Sequence, residues 1–266
     1  MYKRQTEDGT AGPTGKGGFK AEKDRYHLYV SWACPWAHRT LIFRALKGLE
    51  ELISISVVNA IMRSHGWTFD DGYGVIADNV NNKRYLYEVY LEENKNYSGR
   101  VTVPLLWDKK TSSIVNNESA DIIRMFNSAF DDIGAKPGDY YPEDKRDAIN
   151  DMNDYIYQNI NNGVYRSGFS TTQEAYNEAI ETLFRGLDKL NSILSQQRYL
   201  IGDEVTESDW RLLPTLLRFD SVYHGHFKCN RKKIKEYEHL FNYAKELYQY
   251  SGIPDTYDDE YSKLHY

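Results

Sequence analysis

Cysteine is scarce in this chain. Two residues, Cys34 and Cys229, occur among 266. That is too few for the disulfide framework of a secreted scaffold, and it favours a reducing compartment, so a cytoplasmic protein is expected. Long apolar runs are missing as well. No stretch approaches the roughly 18 residues that span a bilayer, and the N-terminus carries no apolar signal-peptide segment, so no membrane partner is expected. Nor is there an excess of positive charge. Lys and Arg total 33 against 39 Asp and Glu, a net charge of −6, which excludes broad attraction to nucleic acid as the main activity. Apolar residues make up 41%, enough for a real core and too many for a disordered chain. Tyrosine is abundant, with 23 residues. Most of these rings suit amphipathic packing, but some could line a cavity for a polar aromatic ligand, because each joins an apolar face to a hydrogen-bonding tip.

Residues 1–20 are polar and Gly-rich (Gly9, Gly12, Gly15, Gly17, Gly18) and read as a flexible arm. Tyr26 to Trp32 alternates with aromatic and β-branched residues and predicts a strand. Pro35 then opens a helix over Trp36 to Lys47 with Ala37, Leu41 and Ala45 inward, and Gly48 closes it. Ile53 to Val58 predicts a second strand, completing a βαβ unit. The segment from Asn59 to Gly99 is longer than an ordinary loop and reads as a functional insertion with some helix around Tyr85 to Glu92. Val101 to Trp107 is strand-like but interrupted by Pro104. Ile114–Val115 predicts a short strand and Glu118 to Phe130 a helix with Ile122, Ile123 and Phe126 on one face. After a turn-rich linker from about residue 134, the pattern becomes helical. Ala148, Ile149, Met152, Ile156 and Ile160 share one face. Ala179, Ile180, Leu183, Phe184, Leu187, Leu190 and Leu194 share another, and Leu240, Phe241, Ala244 and Leu247 a third. Thr206 and Asp209 have the spacing of a capping box ahead of Trp210. The division expected is an arm over 1–20, an α/β domain over 21–133 and an all-helical domain over 143–266.

Cys34 is the sharpest chemical feature. It falls between strand and helix in A-C-P-W-A, where unpaired helix N–H groups and the positive end of the dipole stabilise a thiolate. The spacing is that of a redox C-x-x-C site with Ala37 in the second position. Without a resolving thiol, Cys34 cannot close an internal disulfide, but it can form a mixed disulfide with a small thiol. A buried structural cysteine is the plainer alternative. Pro104 is the second feature. In thioredoxin-like folds a cis-proline abuts the active-site cysteine, and Val103 would then offer its N–H and C=O to a peptide-like ligand; a plain edge-strand proline is the alternative. Glu118 and Ser119 open a helix, where N–H groups and a hydroxyl suit a carboxylate and the Glu suits an ammonium, as at the γ-glutamyl end of glutathione. Read alone, the pair also fits simple capping. His224, His226 and Cys229 are metal-ligand types, but no fourth ligand at a finger-like spacing is visible, so no metal is expected.

Taken together, S-W-A-C-P-W-A-H-R-T around Cys34, G-W-T-F around Trp67, G-R-V-T-V-P-L-L-W-D from Gly99, N-E-S-A at Glu118–Ser119 and N-N-G-V-Y-R-S-G-F around Tyr165 resemble the Xi-class glutathione transferases, which comprise the S-glutathionyl-hydroquinone reductases. The resemblance runs from about Gly12 to the end of the chain. The C-P-W-A box is shared with Omega-like relatives, whereas G-W-T-F, the long insertion and N-N-G-V-Y-x-x-G-F are more specific. The resemblance implies a thioredoxin-like α/β domain followed by an all-α domain, a homodimer, glutathione as cosubstrate and Cys34 as nucleophile. It places glutathione contacts on Trp67, Arg100, Val103, Glu118 and Ser119, and an aromatic-substrate pocket on Tyr165 and Tyr266. Two alternatives keep the fold: an Omega-like thioltransferase or dehydroascorbate reductase, and a non-catalytic interaction module.

Overall fold

The structure is a computed structural model that describes residues 19–266, so nearly all of the expected arm lies outside the described residues. Two units are present. One holds the described residues up to Gly138 together with Asp255–His265; the other holds Asp139–Pro254 together with Tyr266. The division is therefore not a single cut in the chain.

The first unit is built on a four-stranded sheet. Strand β1, Tyr26–Val30, is buried at every position, which is why its sequence is almost continuously aromatic and aliphatic. Helix α1, Pro35–Leu46, returns the chain to β2, Ile53–Val57, which pairs parallel with β1. Gly48, at φ +61°, takes the left-handed turn that releases the helix. The insertion after β2 carries one helix, α2, over Leu86–Glu93. A buried carboxylate pins it to the sheet. Asp78 accepts from the Tyr29 hydroxyl at 2.9 Å and from the N–H groups of Val80, Asn81 and Lys83 at 3.1, 3.0 and 3.1 Å. Strand β3, Leu105–Asp108, runs antiparallel to β1 and to β4, Ser113–Asn116, giving the order β2-β1-β3-β4. Helix α3, Ser119–Ser128, comes next and packs on α1.

The strand expected from Val101 begins only at Leu105. Pro104 has no N–H for a ladder, and the Val103–Pro104 peptide is cis, so residues 101–104 stand outside the sheet. The segment Asp255–His265 ends in a last helix over Asp259–His265. It is held to this unit by polar contacts far apart in sequence. His38 Nε2 meets Thr256 Oγ1 at 2.8 Å, the Tyr261 hydroxyl donates to the Val58 carbonyl, and His265 Nδ1 meets the Ala60 carbonyl at 2.7 Å. Gly74, at φ +70°, lies where a Cβ would come within 3.0 Å of the Tyr261 ring and 3.3 Å of the Trp32 ring, so the insertion can approach both only through glycine.

The second unit is helical. Helix α4, Arg146–Ile156, passes through a π-turn at Tyr157–Asn161 into α5, Asn162–Gly168; α6 spans Gln173–Leu194. Helix α7, Glu207–Arg218, passes through a second π-turn at Phe219–Tyr223 into the single turn α8, His224–His226; α9 spans Glu238–Tyr248. The expected face of α6 is buried throughout, each Leu and Phe contributing about 1.5–3 kcal/mol of transfer free energy. Three expected core positions are not fully buried, Met152 of α4 being only half-buried. Ala148 lies in the exposed first turn of α4, and Phe241 is 38% exposed, its ring covered in part by the Lys245 ammonium 5.4 Å away. The capping box is present, and Asp209 does more than cap. It accepts from Leu200 N–H at 3.0 Å, Thr206 N–H at 2.7 Å, Thr206 Oγ1 at 3.0 Å and Tyr243 Oη at 2.8 Å.

Asp209→Ala leaves these donors buried without an acceptor. It should lower unfolding free energy by about 2–4 kcal/mol, read as a drop in urea midpoint at constant slope; a loss under about 1 kcal/mol would mean that water replaces the carboxylate. His27 predicts a pH effect. The ring is 2% exposed and lies between Ser54 Oγ at 2.7 Å and Ser56 Oγ at 2.9 Å. Burial, aided by the Lys109 and Arg44 charges and opposed by Asp78, pulls its pKa down from 6.5 to about 4. The unfolded chain therefore takes up this proton first. The stability tied to neutral His27 is intact above 6.5 and is lost as pH falls toward 4, about 3 kcal/mol in all. Urea midpoints across that range should fall less steeply in His27→Gln.

Candidate active site

The turn between β1 and α1 determines where Cys34 sits. The Cys34 N–H donates to the Ser31 carbonyl at 3.2 Å, which folds the chain back after the strand. Cys34 is then the N-cap of α1, in extended conformation (φ −75°, ψ 117°), and Pro35 fills the first helical position, where no N–H is needed. The sulfur accepts from the Ala37 N–H at 3.5 Å and lies 3.6 Å from the Val103 carbonyl, to which the thiol donates. Cys34 as a whole is half-buried. The site thus combines a half-buried cysteine, a helix N-terminus directed at its sulfur, and the backbone beside the cis-proline. The N–H of Val103 makes no backbone bond among the described residues.

Glu118 is the N-cap of α3. Its carboxylate accepts from the Ala120 N–H at 3.1 Å, and Ser119 Oγ lies 3.5 Å from Glu118 Oε1. Glu118 is half-buried and Ser119 is 2% exposed. The capping role weighed against ligand binding is therefore real for Glu118, and its second oxygen remains to accept from an ammonium. Trp67 comes from the insertion, and Arg100 from just after it, ahead of β3. Trp67 is stacked on His265, with ring centroids 5.1 Å apart and planes inclined by 20°. Arg100 is exposed; its carbonyl accepts from the Tyr97 hydroxyl at 2.7 Å. Tyr261 was not legible as part of this neighbourhood. It is fully buried, its pKa held above tyrosine's ordinary range first by burial and further by the charges of Asp258 and Cys34.

In the helical unit, Tyr165 and Tyr266 meet directly, their hydroxyls 2.9 Å apart. Around them stand Phe227, 5.1 Å from Tyr165 and 5.6 Å from Tyr266, and Tyr223, 6.0 and 5.7 Å from the same rings. A cavity of about 480 Å³ opens beside Tyr165, bounded also by Gln158, Asn162, Arg166 and Phe169. Neither Tyr223 nor Phe227 stood out in the sequence. The stretch that carries them drew notice for His224, His226 and Cys229, yet Cys229 is buried and burial pushes its thiol up to about 12. Among the described residues no cluster of three His, Cys, Asp or Glu side chains is placed to hold a metal ion, and no helix is long and apolar enough to cross a membrane.

Residues 33–129 match the family model for the glutathione S-transferase N-terminal domain, and residues 173–246 that for the C-terminal domain. The glutathionyl-hydroquinone reductase YqjG of Escherichia coli K12 is 56% identical over 98% of this chain and 80% of its own length. The glutathione-bound structure of YqjG superposes with a TM-score of 0.96, covering 100% of this chain and 87% of that one. The glutathione transferase Xi of Phanerochaete chrysosporium superposes with a TM-score of 0.92 at 46% identity, covering 100% and 89%. This chain belongs to the Xi class of glutathione transferases. Similarity extends to the glutathionyl-hydroquinone reductase PcpF of Sphingobium chlorophenolicum, 54% identical over 94% of this chain and 80% of that protein. It extends also to a glutathione S-transferase omega-like 2 of Schizosaccharomyces pombe, 48% identical over 93% and 82%.

Within this Xi-class chain the two thiols have opposite surroundings, and a simple measurement should separate them. Brief treatment of the folded protein with iodoacetamide at neutral pH should add one carbamidomethyl group by intact mass, and none in Cys34→Ser. Modification of Cys229 at a comparable rate would contradict the burial of that side chain.

Proposed function

We propose that this chain is a glutathione-dependent reductase that removes glutathione from S-glutathionyl hydroquinones. The observation that carries the reading is a single half-exposed cysteine at a helix N-terminus, with alanine where a dithiol enzyme has its second thiol. The relatives named glutathionyl-hydroquinone reductases support it. In the first step the Cys34 thiolate attacks the glutathione sulfur. The ring carbon–sulfur bond breaks, its electron pair stays on the ring carbon, and that carbon takes a proton as the hydroquinone leaves. Cys34 is left in a mixed disulfide with glutathione. In the second step the thiolate of another glutathione attacks the glutathione sulfur of that disulfide, giving oxidised glutathione and free Cys34.

Other residues have roles in this reading. Val103 pairs its backbone with the cysteinyl part of glutathione. Glu118 and Ser119 hold the γ-glutamyl ammonium and carboxylate, Arg100 a carboxylate, and Trp67 the body of the tripeptide. Tyr165 and Tyr266 hold the aromatic ring and supply its proton. A homodimer, and a reducing cytoplasm that supplies the cosubstrate, belong to the same reading.

The similarity to an omega-like protein supports a second reading, thioltransferase activity on ordinary mixed disulfides, which uses the same cysteine but needs no proton on carbon. Rates on a glutathionyl hydroquinone and on a small glutathione mixed disulfide should be measured side by side, with preference for the former expected. Cys34→Ala should abolish turnover and the glutathione adduct in intact mass spectra. Undiminished turnover in that variant would refute the mechanism.

A further inference from the structure

We propose that the cavity beside Tyr165 is a subsite for a carboxylate carried on the substrate ring, and that Arg166 is the residue that selects it. The inference deepens the proposed reductase function and rests on it: the substrate class becomes glutathionyl adducts of carboxylated hydroquinones. At about 480 Å³ the cavity has the size of a small-molecule site. Its lining residues, Gln158, Asn162, Tyr165, Arg166 and Phe169, recur at helical intervals along the run from the π-turn through α5 to its C-cap. Phe169 is 70% exposed, a large apolar ring left in water at the cavity's edge. Its centroid is 6.1 Å from that of Tyr165, with the two planes inclined by only 28°. Two nearly parallel rings offer faces to a planar aromatic guest.

The polar lining divides into two kinds. The Tyr165 hydroxyl and the side-chain amides of Gln158 and Asn162 are neutral, and neither amide has a hydrogen-bond partner among the described residues. Such groups match the two hydroxyls of a hydroquinone, which donate and accept without charge. Arg166 has no place in that match. Its guanidinium is the sole formal charge among the five lining residues, it is exposed, and among the described residues no carboxylate pairs with it. Elsewhere on the surface Arg84, Arg198 and Arg231 each hold a carboxylate of their own chain, at 2.7, 2.6 and 2.6 Å. The Arg166 guanidinium has one described partner, the Gln158 carbonyl, to which Nη2 donates. That bond ties the side chain back along its own helix and leaves the remaining N–H groups of the fork to a ligand.

The chemistry of the fork narrows the anion. A guanidinium presents parallel N–H groups that match the two oxygens of a carboxylate, whereas a phenolate offers it a single oxygen. A ring carboxylate is ionised throughout the neutral range, so the attraction does not depend on pH there. Because Arg166 is open to water, the gain is modest and is screened by salt. It acts on the bound ring and not on the exchange at sulfur, so it belongs in KM and leaves the order of the two steps as it was.

The test compares the glutathionyl adduct of hydroquinone with that of a dihydroxybenzoate, the same ring with one carboxylate added. At low salt kcat/KM of the parent protein should favour the carboxylated adduct by about three- to tenfold, and high salt should bring the ratio toward one. Arg166→Gln should abolish the preference, chiefly through a raised KM for the carboxylated adduct, and Arg166→Lys should restore part of it. A merely structural role for Arg166 lowers both substrates alike and leaves the ratio where it was; that result would overturn the proposal, as would a parent ratio of one or below. Turnover of both adducts without preference removes this inference and leaves the reductase reading standing. Turnover of neither, with exchange of small glutathione mixed disulfides intact, overturns the reductase reading and this inference with it.

Discussion

A sulfur atom at the N-cap of α1 is the constraint around which the sheet unit is arranged. The Ser31 carbonyl turns the chain, Pro35 starts the helix without an unsatisfied N–H, and Ala37 N–H meets the sulfur. Each of these would place a serine hydroxyl equally well. The consequences would differ, because a hydroxyl can only hydrogen-bond the sulfur of glutathione, whereas a thiolate can bond to it covalently. A hydroxyl therefore favours conjugation of glutathione to electrophiles, and a cysteine favours its removal. The direction of the proposed reaction depends on one atom at a position whose geometry the backbone has already fixed.

Much of that backbone was legible in the sequence. The βαβ start was readable because β1 is buried on all sides and its composition says so, and α6 was readable because its buried face keeps strict helical periodicity over many turns. Errors arose where periodicity is blind to environment. Val101 to Val103 has strand-like residues but precedes a proline that cannot enter the ladder, and Phe241 sits on the apolar face of a pattern yet at the rim of the packed surface. Among the proposed site residues, Cys34, Val103, Glu118 and Ser119 are near landmarks that a sequence displays: a strand–helix junction, a proline, a helix start. Tyr165 and Tyr266 were reached through a family resemblance. Tyr223 and Tyr261 had no local mark at all, since tyrosine is common throughout the chain and neither π-turn has a sequence signature.

The segment Asp255–His265 shows how distant residues complete a local site. It returns to the sheet unit and fastens there through Thr256, Tyr261 and His265. His38 illustrates the effect. At four residues beyond Cys34 it has the spacing of a helical neighbour and the chemistry of a base. Its ring is instead bonded to Thr256 and stacked at 5.7 Å on Tyr257, a structural role in holding the returning segment. The stack of Trp67 on His265 works in the same way. An indole expected to touch the tripeptide is oriented by a residue almost two hundred positions away in sequence.

Having alanine rather than cysteine at position 37 also decides the fate of the intermediate. A dithiol enzyme expels its ligand by closing an internal disulfide, an event with high effective concentration. Cys34 has no such partner at position 37, so the proposed mixed disulfide would persist until a second thiol arrives from solution. The chain must then hold one glutathione firmly enough to protect the adduct while admitting another along the line of the disulfide. Glu118, at the start of α3, and Val103, beside the cis-proline, lie on separate backbone segments of one sheet unit. Anchoring glutathione at its two sides through such fixed elements would leave its sulfur as the exposed point of attack. Such an arrangement would explain why a site without a resolving cysteine keeps so much backbone and capping machinery: in the proposed reaction the tripeptide is both the group removed and the reagent that removes it.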